Sequence, residues 1–199
     1  MVGRTNAVTY KPGFFAFLMG AVLLGALMGT LTFCFMDGAV LSRLAVFQSG
    51  FLSLRQSGEL GSIMVKAFAG STVYMLAVFL LGFSAVGQPF AVGVLVLKGM
   101  GCGVAMCQLY ADMGRQGIAY SAALILPSAV ITSAALAFGA REAVVMSDML
   151  LRVTLSDRQE SGLREALRLY LAKFLTLEAV LAVAAAVECL STLLVSEFF

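Results

Sequence analysis

The chain has 199 residues, 61% of them hydrophobic and 12% charged, with a formal net charge of +2. A soluble domain carries about 45–50% apolar and ~25% charged residues, so this composition excludes an ordinary soluble fold and points to an integral membrane protein. The small charge, with no basic run, excludes nucleic acid as a partner. The absence of histidine removes the commonest general base and neutral metal ligand.

The first element is a span over 14–35, within 25 uncharged residues between Lys11 and Asp37. A hydrocarbon core ~30 Å thick needs roughly 20 apolar residues. Arg4 and Lys11 ahead of this run imitate a signal peptide, but the run exceeds the ~7–15 residues of an h-region and is read as a retained span. Within it Gly25 and Gly29 have the GxxxG spacing that lets two helix backbones approach closely. Residues 39–60 mix Leu41, Leu44, Phe47 and Phe51 with Arg43, Arg55 and Glu59, which predicts an amphipathic helix at the interface.

From Ala67 to Ala111 the chain runs for 45 residues with one formal charge, Lys98. This length holds two spans, 68–86 and 90–109, hinged at Gly87-Gln88-Pro89, where glycine frees the backbone and proline can open a helix. A turn at Gly114 and Gly117 leads to a fourth span over 118–138, with Pro127 near its middle as an expected kink. Residues 159–172 read as a second interfacial amphipathic helix, followed by a fifth span over 174–195 that carries Glu178 and Glu188. The expected fold is therefore a single all-α polytopic membrane domain, residues 1–199, with about five transmembrane helices and one or two interfacial ones.

Lysine and arginine counts set the orientation. With the N-terminus cytoplasmic, Arg4, Lys11 and the six cations before span five give eight inside, against four outside: Arg43, Arg55, Lys66 and Arg115. This favours a cytoplasmic N-terminus and an extracytoplasmic C-terminus.

Lys98 requires an explanation, because a cation at the bilayer centre costs about 2.5–3.5 kcal/mol on insertion scales. Measured from the expected cytoplasmic span ends at ~1.5 Å per residue, Lys98 lies about 12 Å deep, Glu178 about 6 Å and Glu188 about 21 Å. Pairing with either carboxylate, snorkelling to an aqueous edge, and a role in a polar pathway are all open. Gly99, Cys102 and Gly103 form a small-residue face on span three, and Glu178, Ala182, Ala185 and Cys189 line up on span five. The two faces can meet each other, or either can meet another subunit, as in a homo-oligomer.

Catalytic signatures are missing. The four cysteines form no CxxC pair, and no Walker or GxGxxG motif is present, so no enzyme activity, cofactor or metal site is expected.

The order Leu81-Gly82-Phe83, Gly87-Gln88-Pro89, Leu97-Lys98-Gly99-Met100-Gly101-Cys102-Gly103, the Gly114/Gly117 turn, Leu126-Pro127 and Ala185-Ala186-Val187-Glu188-Cys189-Leu190-Ser191 resembles the stage II sporulation protein M family. The resemblance covers Ala67–Gly117, Leu126-Pro127 and the last span. It departs after Leu126-Pro127, where Ser128-Ala129 follows and the family's second proline is missing. It implies a five-span membrane protein of endospore engulfment, acting at the septal or mother-cell membrane with two exported peptidoglycan hydrolases, stage II sporulation proteins D and P. Its implied role is to localise or assemble those enzymes rather than to cleave the wall. The alternative function is a small permease or transporter subunit using Lys98, Glu178 and Glu188.

Overall fold

The computed structural model describes residues 12–35, 60–84, 86–114, 117–118, 121, 125–156 and 163–198. The expected interfacial helix at 39–60 lies outside these residues, except that Leu60 opens the second helix. Among the described residues five long helices follow one another: α1 (Pro12–Phe35), α2 (Leu60–Gly82), α3 (Gly87–Met113), α4 (Leu126–Ser156) and α5 (Leu163–Phe198). Each contains a stretch long and apolar enough to cross a membrane: Gly13–Phe35, Met64–Gly82, Gly87–Ala111, Leu126–Leu151 and Arg164–Ser191. The protein is an all-α, multi-pass membrane protein.

Cross-helix contacts show that chain direction alternates, as successive crossings require. Gly25 and Gly29 of α1 meet Val96 and Met100 of α3 in the same order, so these two helices are parallel. Met75 meets Gly139, and Ser84 meets Ser147, so α2 and α4 are parallel as well. Thr72 pairs with Glu178 and Phe79 with Tyr170, making α2 and α5 antiparallel.

The core lies around α4, whose span is 56% buried against 17–28% for the other four. The other helices form an open arc around it in the order α1, α3, α2, α5, and α1 makes no substantial contact with α5. Leu136, Ala137 and Ala140 on α4 are fully enclosed with Leu18, Val78, Leu95 and Leu181 from the four surrounding helices. Outward-facing Leu23, Leu27, Leu31, Leu76, Leu97 and Leu175 are exposed, which is ordinary for side chains whose solvent is lipid.

Two expected boundaries are corrected. The fourth helix is α-helical from Leu126, preceded by π-helical Ser121 and Ile125 and by helical Gly117 and Ile118, and it continues past Phe138 to Ser156. Pro127 lies at the junction between π-helical Ile125 and the α-helix that opens at Leu126, rather than near the middle of the α-helical stretch. Arg141 and Glu142 do not end the helix, because the Glu142 carboxylate is engaged by Lys173 of α5 at 2.6 Å. Residues 163–172 are likewise not a separate interfacial helix but the first turns of a continuous α5. Arg164 and Arg168 are exposed there while Tyr170 turns inward.

The hinge between α2 and α3 is a tight turn. The Phe83 and Ser84 N–H groups donate to the Leu80 and Leu81 carbonyls at 3.1 Å, and Gly87 N–H donates to Ser84 at 3.0 Å. A Cβ on Gly87 would collide with the Leu81 carbonyl, so the close return of the chain needs glycine. Pro89 falls in the first turn of α3, where a donor is dispensable. At the far end Gly114, with φ of 57°, stops α3 and donates its N–H to the Tyr110 carbonyl at 2.9 Å.

Candidate functional site

Three groups of residues organise the bundle, and the first is the contact of α1 with α3, the most extensive between any two helices. A Cβ on Gly25 would overlap the Val96 carbonyl oxygen, and one on Gly29 the Met100 carbonyl oxygen. In return, a Cβ on Gly99 would overlap the Val22 carbonyl oxygen, and one on Gly103 that of Ala26. The two GxxxG faces thus pack reciprocally, each helix laying its carbonyls on the other's glycines. This is the arrangement in which Cα–H···O contacts form. The span-three face meets span one, not the span-five face containing Ala182 and Ala185.

The second group is polar and lies midway along the helices. The Lys98 ammonium stands over the Tyr74 ring, 5.1 Å from its centroid. Thr72 donates its hydroxyl to Glu178 Oε2 at 3.1 Å. Residues two apart on a helix point to different sides, so Tyr74 serves α3 while Thr72 serves α5. Helix α2 thereby separates Lys98 from Glu178, and α3 and α5 make no substantial contact of their own. Glu188 and Cys102 contribute to the electrostatic environment of Lys98. Of the two candidate carboxylates, Glu178 is thus held by α2, and so is Lys98.

The third group closes the hinge end. Tyr170, 4% exposed, donates its hydroxyl to the Phe79 carbonyl at 2.9 Å. Its ring stacks on Phe79 at 5.3 Å and meets Phe83 edge-on at 5.6 Å, with Phe174 4.7 Å away. A Cβ on Gly82 would strike the Tyr170 hydroxyl, so the pocket for the phenol is cut by that glycine. Ser147, fully buried, donates to the Ser84 carbonyl at 2.7 Å. The Phe79 carbonyl at the end of α2 is thus met by α5, and the Ser84 carbonyl, already bonded by Gly87, takes a second donor from α4. Sequence reading placed Tyr170 within the interfacial helix 159–172 and did not single out Ser147. The only signal in the sequence was a tyrosine among leucines just before a span.

The chemistry open to this arrangement is narrow. Among the described residues no cluster of cysteines and carboxylates is placed to hold a metal ion. Two grooves open on the bundle surface. One is lined by Leu81, Phe90, Gly93, Val94, Val96 and Leu97, the other by Met28, Leu31, Thr32 and Phe35. Neither contains Lys98, Glu178 or Glu188. These features define a closely packed, multi-pass α-helical membrane protein. No known family, curated protein or solved structure matches the chain.

Proposed function

We propose that the chain is a non-catalytic membrane scaffold. The observation that carries this reading is the use of the intramembrane polar groups in helix–helix contacts, Lys98 on Tyr74 and Glu178 on Thr72, while the two grooves described above are lined mainly by apolar side chains. A transport pathway needs such groups to face a cavity; a scaffold needs them to fix helix positions. The motif order that resembles the stage II sporulation protein M family supports a narrower role. In that role the protein sits in the cell membrane with its N-terminus cytoplasmic. It positions exported peptidoglycan hydrolases, stage II sporulation proteins D and P, during engulfment.

Affinity purification of the full chain from sporulating cells of its source, followed by mass spectrometry, tests the proposal. Recovery of exported wall hydrolases is the expected result. Recovery of an ATPase or a solute-binding protein, or a solute flux in proteoliposomes lost in Lys98→Met, would replace the scaffold by a transporter.

A further inference from the structure

The strongest unassigned feature is an ionised side chain on the open flank of α4. Arg141 lies within the span Leu126–Leu151, and it makes no hydrogen bond, ion pair or ring contact among the described residues. Its neighbour Glu142 is taken by Lys173 at 2.6 Å. At ~1.5 Å per residue Arg141 stands about 9 Å before Ser147 along the helix axis. Ser147 bonds the turn between the spans Met64–Gly82 and Gly87–Ala111 and so stands level with their joined ends.

The surroundings of Arg141 form a slot. Val130, Ala134, Phe138, Arg141 and Val145 follow one another at helical spacing along α4, with Val130 and Phe138 exposed. On one side α1 approaches through Phe15, whose ring lies 4.6 Å from that of Phe138. On the other side α5 approaches through Lys173, and between α1 and α5 the arc is open. The slot is apolar along its length and carries Arg141 at its hinge end, beside the Lys173–Glu142 pair.

We propose that Arg141 binds the headgroup phosphate of an anionic phospholipid whose acyl chains lie along Phe138, Ala134 and Val130 between α1 and α5. A guanidinium in hydrocarbon requires an anion, and its planar fork matches a phosphate with two parallel hydrogen bonds. The depth fits a headgroup, because a long side chain one to two turns below the interface snorkels to it. Charge complementarity decides against a neutral lipid: the adjacent carboxylate, Glu142, is already neutralised by Lys173, leaving the guanidinium as net positive charge. The apolar run beyond it suits acyl chains rather than a soluble anion.

The test uses the full chain in detergent, with bound lipid counted by native mass spectrometry. Presented with equal phosphatidylglycerol and phosphatidylcholine, the unaltered protein should retain phosphatidylglycerol. Arg141→Gln should weaken that retention by about tenfold or more, as loss of a charge-assisted pair predicts. Arg141→Lys should lose some of it, and Arg164→Gln, an exposed arginine outside the slot, should lose none. Three results would overturn the proposal: equal retention by Arg141→Gln, displacement of the lipid by millimolar inorganic phosphate, or a concentration-dependent dimer that Arg141→Gln abolishes. The last would assign the arginine to a carboxylate of a second copy. Should Arg141→Gln fail to fold, phosphatidylglycerol with a photoreactive headgroup must label the peptide holding Phe138–Val145 in the unaltered protein. Labelling confined to other peptides would equally end the idea.

Discussion

Replacing Gly99 by alanine adds one methyl group and should push a pair of helices apart. The new Cβ would overlap the Val22 carbonyl oxygen and crowd the Ala26 nitrogen, both of them backbone atoms that no rotamer change can move aside. Relief comes only by shifting α1 away from α3, which loosens the other three glycine–carbonyl contacts as well. Overpacking a well-filled interface costs about 1–3 kcal/mol, and each Cα–H···O contact weakened adds ~0.5 kcal/mol. A loss of about 2–3 kcal/mol follows for Gly99→Ala. The reciprocal change Gly25→Ala should cost the same, because its Cβ meets the Val96 backbone. The double variant should cost about 3–4 kcal/mol rather than their sum, since helices already separated by the first methyl have room for the second. Gly101→Ala is the control, having nothing within 4 Å of its Cβ position; it should be neutral or gain up to ~1 kcal/mol from helix propensity. Unfolding by sodium dodecyl sulfate in mixed micelles, followed by circular dichroism, gives all four values. Strictly additive losses, or a Gly99→Ala as benign as Gly101→Ala, would refute the reciprocal packing.

Two further outcomes are expected from the same titration. Tyr170→Phe keeps the ring stack but leaves the Phe79 carbonyl without its 2.9 Å donor, and should cost about 1–2 kcal/mol; an unchanged midpoint would mean that this hydroxyl contributes nothing to holding the hinge. Lys98→Met removes a cation–π contact and should shift stability by no more than ~2 kcal/mol. A loss of about 3–5 kcal/mol would instead mark a fully buried ion pair broken by truncation, with Glu188 the carboxylate to test next.

Hydropathy made the membrane fold legible because five apolar stretches of span length leave little else for the chain to do. Helix ends were less legible. Arg141 and Glu142 read as an exit from the membrane, yet a charge can continue a helix when a neighbour such as Lys173 meets it near the interface. Proline carries the same ambiguity, since Pro127 signals either a kink or a helix start, and the fold places it just after π-helical Ile125. The glycine motifs were visible as smooth faces, but a face does not name its partner. The face of Gly99 and Gly103 could have met span five or another subunit, and it lies against Val22 and Ala26 of α1. Depth placed Lys98 and Glu178 near enough to pair. It could not reveal that α2 stands between them, offering an aromatic ring to one and a hydroxyl to the other.

The way the hinge is closed also constrains the order in which the molecule can be completed. The carbonyls of Phe79 and Ser84 belong to the first half of the chain, whereas their donors, Tyr170 and Ser147, are synthesised 91 and 63 residues later. When α2 and α3 leave the ribosome, the glycines of α3 already have α1 to grip, but the turn joining α2 to α3 lacks those two donors. The early helices can therefore associate while their connecting turn is held by its own backbone bonds alone, and α4 and α5 fasten it further once they are made. A chain cut short after α4 would keep its glycine-paired helices and lose the tyrosine latch.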